Sequence, residues 1–226
     1  MNRPWPAGQR ERADFPRFGL LQFARRFPAE TSKRELKVVG DVAHELVVAD
    51  VLDGLPWAEQ VSDFHCVTTW SRRAVRWGGV RFIDFYERVV APQAQPQAGA
   101  STFILRGQDG ARTTMLLEDL LAPDVLIATT LDGAPLPVEH GAPMRLVAPA
   151  HYGYKSVKHL SRIEIRADES RFRPAAFRFM DHPRARVAHE ERGRGLPGWL
   201  LRYLYRPLVA PTVRHFSRAM ESHRNA

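Results

Sequence analysis

The sequence has little cysteine: one thiol, Cys66, stands among 226 residues. A single cysteine cannot form an internal disulfide, which excludes a disulfide-stabilised secreted domain and favours a reducing compartment. No apolar run reaches the roughly 18 residues of a transmembrane helix. The first residues contain neither the apolar core of a signal peptide nor a twin-arginine motif, so we expect a cytoplasmic protein.

Most of the chain has no excess of basic residues over acidic ones. Residues 1–170 contain 21 Lys and Arg against 21 Asp and Glu. Residues 171–226 contain 12 Arg and 4 acidic residues, so the net charge of +8 lies in this tail. The apolar fraction of 44% suffices for the core of one ordinary domain.

Short apolar runs with strand or helix periodicity indicate an α+β domain of mixed β-sheets and short helices over residues 18–170. We expect residues 1–17 to be a flexible N-terminus and residues 171–226 to be an Arg-rich helical extension. A helix hairpin broken near Pro207 and Pro211 is expected within 196–216. Strands are predicted at 35–39, 61–70 (strand or loop), 102–105, 125–130, 145–149 and 162–166, and helices at 49–55, 82–90 and 115–121.

The most informative run is residues 140–160, HGAPMRLVAPAHYGYKSVKHL. Gly153 permits a close backbone approach or a positive φ within its second half. Arg145, Lys155 and Lys158 can therefore converge on one anion, most simply a phosphate. On spacing alone, a solvated loop with scattered cations explains the run equally well.

The run resembles the pterin-binding segment of the sulfite oxidase family of molybdenum enzymes. That family has a His or Asn, then Gly-x-Pro-x-Arg, an apolar strand ending in Pro, a glycine turn and Ser-x-Lys. The resemblance extends over about residues 18–166 and implies the family's α+β molybdopterin-binding fold. The matching positions are His140, Gly141, Pro143, Arg145, Pro149, Gly153, Ser156 and Lys158.

The resemblance also implies a cofactor, Mo-molybdopterin with one pterin and a mononuclear Mo. A turn at residues 105–109 aligns with a family turn that touches the pterin, although a solvated β-turn explains it equally well. The family's N-terminal contact loop corresponds to residues 18–27, where Gln22, Arg25 and Arg26 are candidates. The implied cofactor-binding residues are His140, Arg145, Ser156, Val157 and Lys158, with Lys155 and Asp109 as further candidates.

Without the resemblance, Cys66 is predicted to be a small core residue, because free cysteines are often buried. The family has one cysteine about eighty residues before its pterin-binding arginine, and Cys66 stands at that distance from Arg145. The resemblance therefore implies that Cys66 is the catalytic molybdenum ligand, a soft thiolate for a metal that binds sulfur well. A rival hypothesis makes Cys66 a nucleophile with His65 and Asp63, but neighbours on a strand point to opposite faces.

The resemblance implies two-electron oxygen-atom transfer. The substrate would be a small-molecule or protein-bound oxo compound: a sulfoxide, an N-oxide or a sulfite-like oxyanion. Thr129 stands where sulfite oxidases have a tyrosine beside the metal, which counts against sulfite. Their dimerisation domain is not recognisable either, so we expect a monomer. Electrons would pass to or from a separate electron-transfer protein.

Two other classes of function stay open at this stage. One is a non-catalytic molybdopterin carrier or assembly partner. The other is a binding protein on an enzyme-derived scaffold, whose basic tail would contact a membrane or nucleic acid. Residues 196–216 mix Trp, Tyr, Leu and Arg, which fits packing on the domain or peripheral membrane contact. Nucleic acid is disfavoured because no recognised binding motif is present.

Overall fold

The computed structural model describes residues 4–170 and 172–225. Within them the strands are β1 (Arg10–Glu11), β2 (Leu36–Gly40), β3 (Leu46–Val48), β4 (Trp57–His65), β5 (Trp70–Arg81), β6 (Thr102–Gly107), β7 (Arg112–Leu116), β8 (Leu126–Leu131), β9 (Ala134–Pro135), β10 (Arg145–Val147) and β11 (Leu160–Arg166). The α-helices are α1 (Phe82–Phe85), α2 (Leu117–Leu120), α3 (Gly198–Tyr205) and α4 (Val209–Arg224), and α1 runs into a π-helical segment, Tyr86–Ala94. Shorter 3-10 turns cover Leu21–Phe23, Val138–His140, Arg178–Met180, Val187–His189 and Arg206–Leu208.

The strands form two mixed sheets. One has the order β1-β5-β8-β10, with β4 also paired to β5 and β9 to β8, and the other has the order β3-β2-β11-β6-β7. The pairs β1–β5 and β2–β11 are parallel, whereas the other pairs are antiparallel. Strand β11 buries Leu160, Ile163 and Ile165 in the main core; Ile163 and Ile165 follow the alternation of a strand, and a register shift between Leu160 and Arg162 precedes them. That core also takes in side chains of both sheets and of the helical segment 82–94.

The α+β prediction with mixed sheets is confirmed, with differences at individual elements. Residues 49–55 form turns around the buried Val51 and not the expected helix. The helix predicted to stop before Pro92 continues to Ala94. A strand, β7, precedes α2 and was missed because the apolar run at 115–121 reads as one helix.

The N-terminal segment, predicted as flexible over residues 1–17, lies along the domain from residue 4 onwards. Strand β1 pairs in parallel with the start of β5, and the Gln9 side chain donates to the Cys66 carbonyl at 3.1 Å. Residues 1–3 are outside the described range. The pairing is local to the Cys66 turn, so residues 4–17 help to build that turn. The domain boundaries at residues 17 and 170 stay predictions.

The tail is helical from residue 198 onwards, whereas residues 172–197 are irregular apart from two short 3-10 turns, and the helical part is not a hairpin. Arg206 and Val209 keep helical backbone angles, so α3, the 3-10 turn Arg206–Leu208 and α4 follow one another without a reversal. Phe216 of α4 packs with Phe23 and Ala24, at the first 3-10 turn, in a separate small core. No helix among the described residues has the length and apolar content needed to cross a bilayer.

Candidate cofactor site

A cavity of about 320 Å³ lies where five parts of the chain meet. These parts are the turn after β4, the turn between β6 and β7, the run 140–160, the N-terminal residues 15–23, and the tail. The cavity brings together six of the eight predicted site residues. They are Cys66, Asp109, Arg145, Ser156, Val157 and Lys158.

Cys66 lies in a tight turn between β4 and β5. Its N–H donates to the Trp70 carbonyl, and its own carbonyl accepts from Thr69, whose φ of 81° is left-handed. The buried Sγ lies 3.2 Å from the Thr68 hydroxyl. Burial raises the pKa of the Cys66 thiol, while Thr68, Arg192 and Lys158 act in the opposite direction. The turn thus holds the thiol in place at the cavity wall.

Gly153 joins the cysteine turn to the run 140–160. Its N–H donates to the His65 carbonyl at 2.7 Å, directly before Cys66. A Cβ at this position would lie 2.1 Å from Cζ of Phe64, so a larger residue would push the two segments apart. The prediction of a close approach at Gly153 is confirmed. Because of this contact, the cysteine turn and the run 140–160 face one cavity.

Arg145 is fully buried and forms a clamp inside the run. It donates to the carbonyls of Leu146, His140 and Ser156, at 3.2, 3.0 and 3.0 Å. Burial lowers the pKa of Arg145 to about 9. Three of its five N–H groups are used in this way, which leaves two for a bound ligand. Arg145 therefore shapes the loop as well as lining the cavity.

Lys158 is a second cation in the wall of the cavity. Its Nζ donates to the Glu139 carbonyl at 2.8 Å. Burial, followed by the charges of Arg145 and Arg17, lowers the pKa of Lys158 to about 7. The Ser156 hydroxyl nearby accepts from the Ala148 N–H at 3.1 Å. A bound anion would restore the charged state of the lysine.

The charges around the cavity are unbalanced in favour of cations. Asp109, whose Oδ1 accepts from the Ala111 N–H at 3.0 Å, is one of the two carboxylate residues among the described lining residues, and Asp181 is the other. The basic residues of the same lining are Arg17, Arg112, Arg145 and Lys158. A thiol beside an excess of basic side chains fits a cofactor that combines a sulfur-seeking metal with a phosphate. The residues present therefore fit Mo-molybdopterin.

His140 and Lys155 do not line the cavity, unlike the other predicted residues. The His140 ring stacks on Phe15 at 4.5 Å between centroids, and burial lowers its pKa to about 3. Its carbonyl, not its ring, is engaged in the site, through Arg145. Lys155 is fully buried and donates to the carbonyls of Thr114 and Pro183, at 2.7 and 2.8 Å. It fastens the tail to the domain.

Arg17 is a site residue that sequence reasoning missed. It lines the cavity and donates to the carbonyls of Ala24 and Phe23, while its guanidinium lies over the ring of Phe27. None of the predicted N-terminal candidates Gln22, Arg25 and Arg26 is in the lining. The only local signal for Arg17 was its position between aromatic residues, because the stretch was expected to be flexible.

The tail supplies a wall that the sequence did not predict. Tyr205 lines the cavity, and its buried hydroxyl has no hydrogen-bond partner among the described residues. Thr129, the position where sulfite oxidases have their tyrosine, lies in β8 and outside the lining.

Arg192, fully buried, donates to the carbonyls of Val67 and Ala7 at 2.6 and 2.8 Å. The tail therefore holds the residue that follows the cysteine.

The arrangement does not support a thiol nucleophile with His65 as its base. Nδ1 of His65 lies 2.7 Å from the Ser71 hydroxyl, and the Asp63 carboxylate accepts from the Ala74 N–H. Cys66 instead has Thr68 as its hydrogen-bonding neighbour. No cluster of three His, Cys, Asp or Glu side chains that could hold a metal is present in the part of the chain that the structure describes.

Residues 24–173 match the family described as the oxidoreductase molybdopterin binding domain. Among curated proteins, the uncharacterised oxidoreductase YuiH of Bacillus subtilis is 37% identical over 136 residues, which is 60% of this chain and 66% of that protein. The protein-methionine-sulfoxide reductase catalytic subunit MsrP of Xanthomonas campestris is 30% identical over 164 residues, covering 62% of this chain and 50% of MsrP. The matches thus leave a third to a half of these relatives uncovered.

Among solved structures, the sulfane dehydrogenase SoxCD of Paracoccus pantotrophus has a similar fold. The TM-score is 0.53 at 22% identity, over 67% of this chain and 43% of the SoxCD chain. At that identity the likeness concerns the fold. It agrees with the mixed two-sheet architecture that positions the cavity.

Proposed function

Because the chain belongs to the oxidoreductase molybdopterin-binding domain family, we propose that it is a molybdenum-dependent oxidoreductase that transfers an oxygen atom. One observation carries the proposal: a single cavity contains both the Cys66 thiol and an excess of basic side chains. A carrier needs to hold the pterin and its phosphate, but it has no need of a buried thiol held beside the site.

The cavity residues divide into two roles. Arg145, Lys158 and Ser156 would hold the pterin and its phosphate through charge-assisted and backbone-linked contacts. Cys66 would supply the protein's thiolate to the metal, and Thr68 would fix the orientation of that sulfur. When bound, Mo-molybdopterin supplies two-electron redox chemistry, and the protein supplies position and electrostatics.

The apolar side of the cavity favours a substrate with an apolar part. Leu20, Phe23 and Phe216 line that side, and they would exclude water from the reacting centre. A sulfoxide combines a polar S–O bond with apolar substituents, and MsrP is named for sulfoxide reduction. We propose sulfoxides as the first substrate class, before N-oxides and sulfite-like oxyanions. The electrons would come from a separate electron-transfer protein.

The test combines metal analysis with a dye-linked assay on the intact protein and on Cys66→Ser. The holoprotein is expected to contain molybdenum and to oxidise a reduced viologen dye in the presence of methionine sulfoxide, dimethyl sulfoxide or trimethylamine N-oxide. Sulfite is assayed in the opposite direction with ferricyanide. Cys66→Ser should lose turnover by at least roughly a hundredfold, because a serine oxygen is a harder ligand than sulfur.

Thr130→Ser serves as the control, since it makes a similarly small change in β8 outside the cavity. Molybdenum content is measured on both variants, so that loss of metal is separated from loss of turnover. Full turnover by a metal-loaded Cys66→Ser protein would contradict the role of Cys66. A molybdenum-loaded wild-type protein with no turnover on any of these substrates would favour the carrier.

A further inference from the structure

Helix α3 exposes an apolar surface on the side that faces away from the domain. Leu201 and Tyr205 are buried on the inner side of this helix. Four large apolar side chains are on the outer side, and we name them the apolar ridge. They are Trp199, Tyr203, Leu204 and Leu208, with exposed fractions of 54%, 60%, 55% and 50%.

The ridge is a continuous feature of the helix surface. Residues four apart lie on the same side of a helix, so Trp199 and Tyr203 form one row, and Leu204 and Leu208 form the next. A helix on the surface of a soluble domain usually turns polar residues outward. This one is apolar on its outer side as well as on its inner side, which marks an interaction surface.

Arginines border the ridge, and most of them lack an acidic partner among the described residues: Arg202 lies 3.6 Å from the Glu190 carboxylate, whereas the next three arginines along the tail are unpaired. Residues 192–220 contain six Arg and neither Asp nor Glu. The guanidinium groups of Arg202 and Arg206 lie 5.7 and 6.0 Å from the ring centre of Tyr203, at the edge of the ridge. Within the described residues, Arg206, Arg214 and Arg218 take part in no ion pair. These charges are available to an anionic surface.

The ridge also reaches the mouth of the cavity. Leu208 and Leu21 both line the cavity, and both are at least half exposed, at 50% and 59%. The exposed apolar surface therefore continues from α3 to Leu21 at the rim of the cavity. A flat partner lying on α3 would cover this rim.

We propose that the apolar ridge and its arginines dock the protein on an anionic lipid bilayer, with α3 lying parallel to the membrane surface. Trp, Tyr and Leu side chains enter the boundary between headgroups and acyl chains, and arginines bind anionic headgroups. A second copy fits less well, because its ridge would place the same uncompensated arginines against these. The proposal concerns binding and does not depend on the proposed oxidoreductase activity.

The experiment measures co-sedimentation of the full chain with vesicles. One set consists of phosphatidylcholine alone, and the other contains phosphatidylglycerol as well. We expect binding to the anionic vesicles, at least tenfold weaker binding to the neutral ones, and a decrease as salt is added. The double variants Trp199→Ser/Leu204→Ser and Arg206→Gln/Arg214→Gln should each weaken binding to anionic vesicles at least tenfold. Melting curves check that both variants are folded.

The matched control is Trp57→Ser, which removes an equally exposed tryptophan, at 50%, from strand β4 of the six-stranded sheet. It should bind anionic vesicles as the wild type does. Absence of binding to anionic vesicles would overturn the proposal, and so would a Trp199→Ser/Leu204→Ser variant that binds unchanged. Sedimentation velocity without lipid tests for a second copy as the partner. If the wild type is a dimer, if Trp199→Ser/Leu204→Ser is a monomer, and if neither binds vesicles, the ridge is an interface between two copies of the chain.

Discussion

The two sides of the cavity differ in chemistry and in how they are held. The motif side, formed by the Cys66 turn and the run 140–160, carries the thiol, Arg145, Ser156 and Lys158. The tail side, formed by residues 174–216, is largely apolar and includes Tyr205 and Phe216. The difference indicates a division of labour: the motif side binds the cofactor, and the tail side closes the cavity around it.

The two sides also differ in their electrostatic state. On the motif side, burial lowers the pKa of Arg145 to about 9 and that of Lys158 to about 7, so the cations are destabilised until an anion arrives. The tail is fastened by paired groups, such as Arg184 with Asp119, and by the Arg192 contacts to the cysteine turn. The motif side thus gains stability from a ligand, whereas the tail side is stable through its own contacts.

Removal of residues 171–226 is expected to have the largest effect. It uncovers Phe23 and Ala24, removes the Arg184 partner of Asp119, and leaves Lys155 without the Pro183 carbonyl. We expect an aggregated product or one without a cooperative melting transition, as judged by size-exclusion chromatography and circular dichroism. Removal of residues 225–226 alone is the control and should melt normally, because Asn225 is exposed and the His223 ring on Phe27 and the Arg224 pair with Glu139 are kept. A soluble, cooperatively folding 1–170 fragment would show that the tail is dispensable for the fold.

Arg192→Ala tests the tail's hold on the cysteine turn and should have the next largest effect. It leaves the carbonyls of Val67 and Ala7 without their donor and breaks the contact with Glu190. Hydrogen bonds to a charged group contribute about 1.5–3 kcal/mol each, so loss of this fully buried guanidinium should cost about 2–4 kcal/mol in the free energy of unfolding, or roughly 5–15 °C in Tm for a chain of this size.

The matched control is Arg202→Ala, whose guanidinium lies 3.6 Å from the same Glu190 carboxylate but is partly exposed. It should lower Tm by only a few degrees, because surface pairs contribute about 0–1 kcal/mol. Equal losses of Tm in the two variants would mean that Arg192 contributes only its ion pair and not the carbonyl contacts to the cysteine turn.

The ordered motif made much of the motif side predictable. Cys66, Gly153, Ser156 and Lys158 were assigned from spacing and resemblance, and all four line the cavity. Lys155 was assigned on the same grounds, but its amine is directed to the Thr114 and Pro183 carbonyls. The two lysines are three positions apart, and within a loop this spacing does not decide which one faces the cavity.

The tail side could not be predicted, because its role depends on contacts across long separations in sequence. Arg192 binds the carbonyl of Val67, 125 residues earlier, and nothing near Arg192 in the sequence indicates that partner. Arg17 was missed for a related reason: its Pro- and charge-rich surroundings predict flexibility, yet the aromatic rings of Phe27 and Phe216 cover its guanidinium. Secondary structure was least predictable where tertiary packing prevailed, as at Val51, which is buried without a helix.

The smallest expected effect is the pH dependence of anion binding by Lys158, which tests the electrostatic difference between the two sides of the cavity. Its pKa of about 7 in the anion-free protein means that the amine is charged below that pH and neutral above it. Binding of an anion needs the charged form, so affinity should be full below pH 7 and should fall above it, by about tenfold per pH unit at most. Sulfate is the suitable probe, because it keeps the same charge throughout this range.

The measurement is calorimetric titration of the cofactor-free protein with sulfate at a series of pH values on both sides of 7. Lys158→Met should bind more weakly at low pH and lose this pH dependence, whereas Lys37→Met, an exposed lysine of β2 outside the cavity, should keep it. The same pKa makes the anion-free protein more stable as pH rises from 7 towards 10.5, because the unfolded chain binds the extra proton there. A wild-type sulfate affinity that is constant from pH 6 to 9 would show that Lys158 stays charged without a ligand. The motif side would then not depend on an anion for its charge state. The contrast with the tail side, which is stable through its own contacts, would lose its electrostatic basis.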